Sequence, residues 1–427
     1  MNATPLPPRL ASLCQSQVGG ILTPVDSALS IGSRIRELRE RAGVQSQTLA
    51  ASLRIDPSAM SNIERGKRAV KSSEVAAIAS ILGVSPLAIL SGDSLLSAMP
   101  VAARATNVET SSDLVVRTLT ELAELHELLS GSGLRSSPSL EAVPHVDLDA
   151  WRQSAEDVAR WARENVLPPT DGGALDRFAE LAEAIERNLS VDVMVEDCPR
   201  GGILGASITD RRFPLILVSR SQLTSRALFT LAHELGHIFL GDGDEAIRLD
   251  VSLTLHTKPE MFANAFAASL LMPQSTVQEE IDMYGVTSKA LARLVARFGV
   301  SFESLVYRLH NLGHISAATR DRLQSRGLPA VLANLGEEDR RRALARQGAS
   351  PERRPPGLLT LRTLRGYQVG VVSVRPLAGL LGQDPDELLE RYVRERDSVE
   401  AWGLGRREDP QASFGTSDED RYSGVPA

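Results

Sequence analysis

A chain of 427 residues is long enough for two or three domains, and 42% hydrophobic residues allow each a core. A net charge of −7 argues against nucleic-acid binding along the whole length, and two cysteines, Cys14 and Cys198, are too few for a disulfide framework or a cysteine zinc site. They read as free thiols in a reducing compartment; Met1 to Ser27 lacks the basic-then-apolar order of a signal peptide, and no run approaches a membrane span, so a cytoplasmic protein is expected.

The charge is uneven. Between Ser30 and Leu90 nine Lys/Arg stand against five Asp/Glu, a local basic excess in an acidic chain. Ile31 to Arg41 is predicted as an amphipathic helix with Ile31, Ile35 and Leu38 inward, ended by Gly43. Gln45 to Leu53, Pro57 to Glu64 and Ser73 to Leu82 form three more, the third capped by Asp56 and the fourth ended by Gly83. Helices this short with turns this tight describe a helix-turn-helix domain over residues 30–90. Ser58, Ser61 and Asn62 would reach base edges in a major groove, and Arg65, Lys67 and Arg68 would hold phosphates. The plainer alternative is a four-helix module kept for protein contacts. Through Leu49-Ala50, Met60 to Arg68 and Leu82-Gly83-Val84-Ser85 the segment resembles the Xre/Cro family, except that Ser46, preceded by Gln45, stands where members commonly carry glutamine.

Residues 91–148 read as a small-residue linker around one helix, Leu114 to Leu129. Its leucines suit packing on its own chain or a homodimer contact. His126 there reads as solvated beside glutamates, and His145 as a loop residue.

Residues 149–316 carry the chemistry. Helices Ala150 to Asn165 and Ala174 to Asn188 precede strand-like runs at Val191 to Glu196, Ile203 to Ile208 and Pro214 to Val218, so the expected class is mainly α with a small antiparallel sheet (α+β). Then comes Ala232-His233-Glu234-Leu235-Gly236-His237, an H-E-x-x-H motif in an apolar helix stopped by Gly241-Asp242-Gly243. Four residues at ~100° each return His233 and His237 to one face a turn apart, as two imidazoles on one Zn2+ require. Glu234 beside them is placed as the general base of a metal-assisted hydrolysis.

A third ligand is sought on the next helix, opened by Pro259 and closed by Pro273, where Glu260 lies above the small residues Ala263, Asn264 and Ala267. A His-His-Glu set leaves the open position a peptidase needs. Thr257-x-x-Glu260 is equally a capping box, in which Glu260 would bond back to the backbone. Ile203 to Ser207 is a candidate edge strand for an extended peptide, or an ordinary covered strand. His256 and Tyr284 are candidates for stabilising an oxyanion. His310 and His314 lack an acidic partner and read as exposed.

His-Glu-Leu-Gly-His followed by Glu260 to Pro273, as E-x-x-A-N-x-F-A-x-x-L-L-M-P, resembles the ImmA/IrrE family of zinc metallopeptidases over about Val191 to Gly313. That resemblance implies His233, His237 and Glu260 as zinc ligands and Glu234 as general base. It also implies a protein substrate, an Xre-type helix-turn-helix repressor whose cleavage releases stress, mobile-element or defence genes.

Residues 317–398 read as a helical C-terminal extension with a solvated Arg340-Arg341-Arg342 face, and 399–427 as a disordered tail. The expectation is a transcriptional regulator fused to a zinc endopeptidase. The alternative is a non-catalytic DNA-binding factor whose peptidase-like domain senses or binds a partner.

Overall fold

A computed structural model describes residues 24–82, 84, 86–90, 111–167, 177–198, 203–220, 222–241, 247–250, 257–333, 335–344 and 350–391. Cys14, His256 and the tail beyond 399 lie outside these. Among the described residues no helix is long and apolar enough to cross a membrane.

Among the described residues the N-terminal module has five helices: α1 (Pro24–Arg41), α2 (Ser46–Ser52), α3 (Pro57–Glu64), α4 (Ser72–Leu82) and α5 (Pro86–Leu90). Ile35, Leu38, Leu49, Met60, Ile63, Ile78, Leu82 and Ile89 fill its core. Gly32 is needed where α1 meets α3, because a Cβ there would stand 2.2 Å from the Ile63 carbonyl oxygen. Arg39 ties the same two helices, donating to Glu64 Oε1 at 2.7 Å and to the Val44 carbonyl at 3.0 Å. Arg34 closes the end of α5 through the carbonyls of Ile89 and Leu90. Asp56 occupies the N-cap position of α3 but makes no side-chain cap bond, so the capping role expected of it is not taken up.

Helices α6 (Ser111–Gly131), α7 (Trp151–Asn165) and α8 (Arg177–Leu189) lead into β1 (Asp192–Glu196), β2 (Gly205–Ile208) and β3 (Leu215–Ser219). Then follow α9 (Thr224–Leu240), β4 (Ile247–Asp250), α10 (Lys258–Leu271), α11 (Gln274–Tyr284), α12 (Ser288–Phe298), α13 (Phe302–Asn311), α14 (Ala317–Leu332), α15 (Glu337–Leu344) and α16 (Gly357–Gln368). The sheet runs β1-β3-β2-β4 and is mixed: β1 is parallel to β3, while β2 is antiparallel to both β3 and β4. A small antiparallel sheet was expected. Instead β3 inserts between β1 and β2 and pairs with β1 in parallel, and β4, which begins seven residues after the end of α9, adds a strand that no long apolar run announces.

Nearly every residue of β1, β2 and β3 is buried, so both sheet faces are covered. Helix α9 packs on β2 and β3 and α8 on β1, while α16 also lies against β1 and α6 against both α16 and β4. His126 of α6 is therefore buried, 4% exposed, rather than solvated. Its ring stacks on Phe213 with centroids 4.3 Å apart, and Arg362 of α16 donates to its Nδ1 at 2.9 Å. Burial and that guanidinium push its pKa down to about 3.

The expected C-terminal extension is not one body. Residues 353–359 dock on the sheet domain: Arg354 bridges to Val195 of β1 and pairs with Glu186, Arg353 pairs with Glu196 at 2.9 Å, and the Leu358 and Leu359 amides donate to Asp192. A separate compact unit begins at Val372 and holds α17 (Val374–Leu381), stopped by left-handed Gly382.

Candidate metal centre

Helix α9 brings its apolar faces, Leu228, Leu231, Leu235 and Ile238, into the core and ends at Gly241 with φ of 65°. On it His233 and His237 face one point, their Nε2 atoms 3.1 Å apart. Helix α10 crosses α9 at Gly236. A Cβ there would lie 3.1 Å from both the Ala263 Cα and the Phe266 ring, so a side chain at 236 would push α10 or Phe266 away by a few tenths of an ångström. The far end of α10 is held by Arg163 on the Ser269 carbonyl at 2.6 Å, and by Glu156, which accepts from Ser269 at 2.8 Å and Arg308 at 2.6 Å.

The crossing delivers Glu260, in the first turn of α10, to the histidines. Its Oε2 lies 3.3 Å from His233 Nε2 and its Oε1 3.4 Å from His237 Nε2. Thr257 at the N-cap makes no side-chain cap bond, so of the two uses open to Glu260 it is the histidine-facing one that the fold adopts. Burial alone would raise the Glu260 carboxyl, but hydrogen bonds from the two imidazoles outweigh it and hold the group well below the usual carboxylate range.

The two imidazole Nε2 atoms, 3.1 Å apart, each face one oxygen of the Glu260 carboxylate, Oε2 at 3.3 Å from His233 and Oε1 at 3.4 Å from His237. Two ligands each ~2.0–2.1 Å from a tetrahedral metal lie roughly 3.3–3.4 Å apart. A cation between the two imidazoles and the carboxylate would be held by all three residues, whose ligand atoms lie within 4.8 Å of one another. The donor set, two imidazoles and a carboxylate, fits a divalent metal with three protein ligands.

Glu234 is also buried, 1% exposed, and its Oε2 accepts a 2.7 Å hydrogen bond from Ser207 Oγ on β2. Gln222 ties the same helix to the sheet, accepting from Thr230 at 3.0 Å and donating to the Leu204 carbonyl at 2.5 Å. Neither Ser207 nor Gln222 was singled out from the sequence. The available signal was weak: small polar residues at alternate positions in an otherwise apolar strand.

Other candidates fall elsewhere. Strand β2 is paired on both sides, so Ile203 to Ser207 is not an edge; the edge beside it is β4. Tyr284 is exposed at the end of α11 with the Arg293 guanidinium 4.7 Å from its ring centroid. His145 is exposed, whereas His310 and His314 are half-buried rather than exposed, His310 lying 3.1 Å from the Ile315 carbonyl. Among the described residues His233, His237 and Glu260 make the one such buried group able to hold a metal.

In the N-terminal module Ser58, Arg65 and Lys67 are exposed, and Ser61 and Asn62 are half-buried. Arg65 donates to Ser61 Oγ at 2.6 Å. Arg68 pairs with Glu74 at 2.6 Å, so its guanidinium is already engaged within the fold.

Family models match the chain twice: a helix-turn-helix domain over residues 30–89 and an IrrE N-terminal-like domain over residues 186–310. The radiation response metalloprotease IrrE of Deinococcus radiodurans is 36% identical over 110 residues, 23% of this chain and 32% of that protein. The namesake of Deinococcus deserti is 34% identical over 110 residues, covering 23% of this chain and 37% of its own length. The match thus spans about a third of each relative. Two segments of this chain are similar to known domain families, residues 30–89 to a helix-turn-helix domain and residues 186–310 to the IrrE N-terminal-like domain.

Proposed function

We propose that the chain is a transcriptional regulator carrying a zinc-dependent endopeptidase, and that its substrate is a helix-turn-helix repressor of the Xre type. The observation that carries this reading is the convergence of His233, His237 and Glu260 with Glu234 on the next residue of the same helix. Zinc on the three ligands would supply a Lewis acid and an acidified water at neutral pH. Glu234 would take a proton from the attacking water and return it to the leaving amine as the carbon–nitrogen bond breaks. The apolar wall of α9 and α10 keeps bulk water from the carboxylate, which strengthens its electrostatic work. Strand β4, the sheet edge next to β2, is the place where an extended peptide would add as a further strand.

Cleavage of the repressor would release stress, mobile-element or defence genes. The helix-turn-helix domain would bring the peptidase to the operator where that repressor sits, raising its local concentration. Ser58, Ser61 and Asn62 would read bases, and Arg65 and Lys67 would hold phosphates, with Arg68 contributing once released from Glu74. Binding to chromosomal DNA would put the protein in the cytoplasm. Homodimer formation, common among such DNA-binding modules, would match a palindromic operator.

A second reading, a DNA-binding factor whose metal domain only senses, draws on the burial of all four residues: His233, Glu234, His237 and Glu260 are each no more than 6% exposed. Expression of a reporter under the regulated promoter separates the two. Glu234→Gln should abolish induction if hydrolysis is required, and an unchanged induction with zinc still bound would establish the sensor.

A further inference from the structure

Strand β2 presents Gly205 and Ser207 to the same side, as residues two apart in a strand must. That side faces Glu234. Ser207, fully buried, gives its hydroxyl to Glu234 Oε2 at 2.7 Å. Gly205 makes the space beside it: a Cβ there would lie 2.7 Å from Glu234 Oε1, 3.2 Å from Glu234 Cγ and 2.6 Å from Thr230 Cγ2. One residue therefore holds one carboxylate oxygen, and the absence of a side chain on the other admits the second.

We propose that Gly205 and Ser207 form a cradle that fixes the orientation of the Glu234 carboxylate relative to the His233–His237–Glu260 set, and that they are positioning residues for the hydrolytic step. The proposal rests on the peptidase reading for its kinetic consequence, though not for its geometry. The cradle is rigid because β2 is bonded on both sides. Gly205 is in register with Val218 of β3 and Asp250 of β4, and Ser207 with Ile216 and Arg248. A carboxylate on a helix has several rotamers, and a general base misplaced by about 1 Å loses roughly a hundredfold in rate. A hydroxyl on the central part of the sheet selects one rotamer, and a substrate strand added at β4 would be placed by the same ladder.

A hydroxyl present only to satisfy a buried carboxylate would, when removed, lower stability and leave turnover alone. The test therefore uses zinc-loaded full-length protein, Ser207→Ala, Ser207→Thr and Gly205→Ala, with a fluorescence-quenched peptide mixture of randomised sequence as the probe. Ser207→Ala is expected to keep one zinc per chain, to hold KM within about twofold and to lose about 10- to 100-fold in kcat, the size typical of groups that orient catalytic side chains. Ser207→Thr, which keeps the hydroxyl, should recover most of that loss, and crystals of Ser207→Ala and Gly205→Ala should show Glu234 moved while His233, His237 and Glu260 stay in place.

Wild-type kcat in Ser207→Ala, or equal losses in the Ala and Thr variants, would overturn the proposal. If the wild type hydrolyses nothing in the mixture and leaves co-produced helix-turn-helix repressors intact, the peptidase reading fails by itself. The crystals still decide the cradle, because an unmoved Glu234 in Ser207→Ala refutes it and a displaced one upholds it.

Discussion

Gly236 and Ala263 meet where the helices carrying His233, His237 and Glu260 cross, with the Ala263 Cα 3.1 Å from the place a Cβ at 236 would occupy. This contact sets how near Glu260 comes to the histidines. Gly236→Val is expected to lower stability by about 1–3 kcal/mol, the usual cost of overpacking, and to weaken zinc binding at least tenfold because Glu260 is carried outward. Denaturant unfolding and zinc titration against a competing chelator measure the two effects. A variant that loses stability yet binds zinc as the wild type does would show that the crossing distance does not control the site.

Metal removal offers a second prediction. A ligand that binds only the folded state at a concentration about a hundred times its Kd adds ~2.7 kcal/mol. Stripping zinc should lower the Tm of the wild type and of Glu234→Gln alike, because Glu234 is not a ligand. Glu260→Ala should show little change on stripping, since its third ligand is already gone. Differential scanning calorimetry with and without chelator reads this directly. An unresponsive Glu234→Gln would place that carboxylate among the ligands instead.

Much of this centre was legible in the sequence, for a physical reason. The spacing of His233 and His237 is a property of one helix, and the small residues beneath Glu260 advertise a close crossing. Ser207, Gly205 and the crossing role of Gly236 were not legible, because each depends on which surface of another element lies opposite. Local periodicity likewise hid the sheet order. Strands buried on both faces show continuous apolar runs, so neither the parallel β1–β3 pairing nor the internal place of β2 left a signature. His126 misled because its neighbours in sequence are glutamates, whereas its neighbours in space are Phe213 and Arg362.

Asp192 makes stability depend on pH. Burial, aided by the nearby Glu186 carboxylate, pushes its pKa up to about 7 even though two backbone amides of α16 donate to it. The folded chain thus keeps a proton that the unfolded chain releases near pH 4. Its contribution is greatest below that pH and is lost as the pH rises to about 7. At ~1.4 kcal/mol per pH unit the full span is about 4 kcal/mol, an upper figure. Asp192→Asn keeps an oxygen for the Leu358 and Leu359 amides and removes the charge. It should match the wild type at pH 4 and exceed it by about 2–4 kcal/mol at pH 8. Urea unfolding at the two pH values tests this, and a variant less stable than the wild type at pH 8 would mean the carboxylate is needed in its charged form.

The DNA-facing residues should divide by function. Lys67→Ala should weaken binding to all duplexes by a similar factor and reduce the salt slope by about 1, as loss of one phosphate contact does. Asn62→Ala should instead relax the preference among sequences. Fluorescence anisotropy over a salt series, on selected and random duplexes, distinguishes these. A uniform loss for Asn62→Ala would remove it from base reading.

The most direct test of the central claim is co-production of the wild type or Glu234→Gln with the helix-turn-helix proteins encoded beside its gene, followed by mass spectrometry of the fragments. The account predicts one of those proteins cut at a single peptide bond by the wild type, with the cut lost on zinc chelation and absent with Glu234→Gln. An identical fragment pattern in wild type and Glu234→Gln, with zinc bound to both, would contradict it.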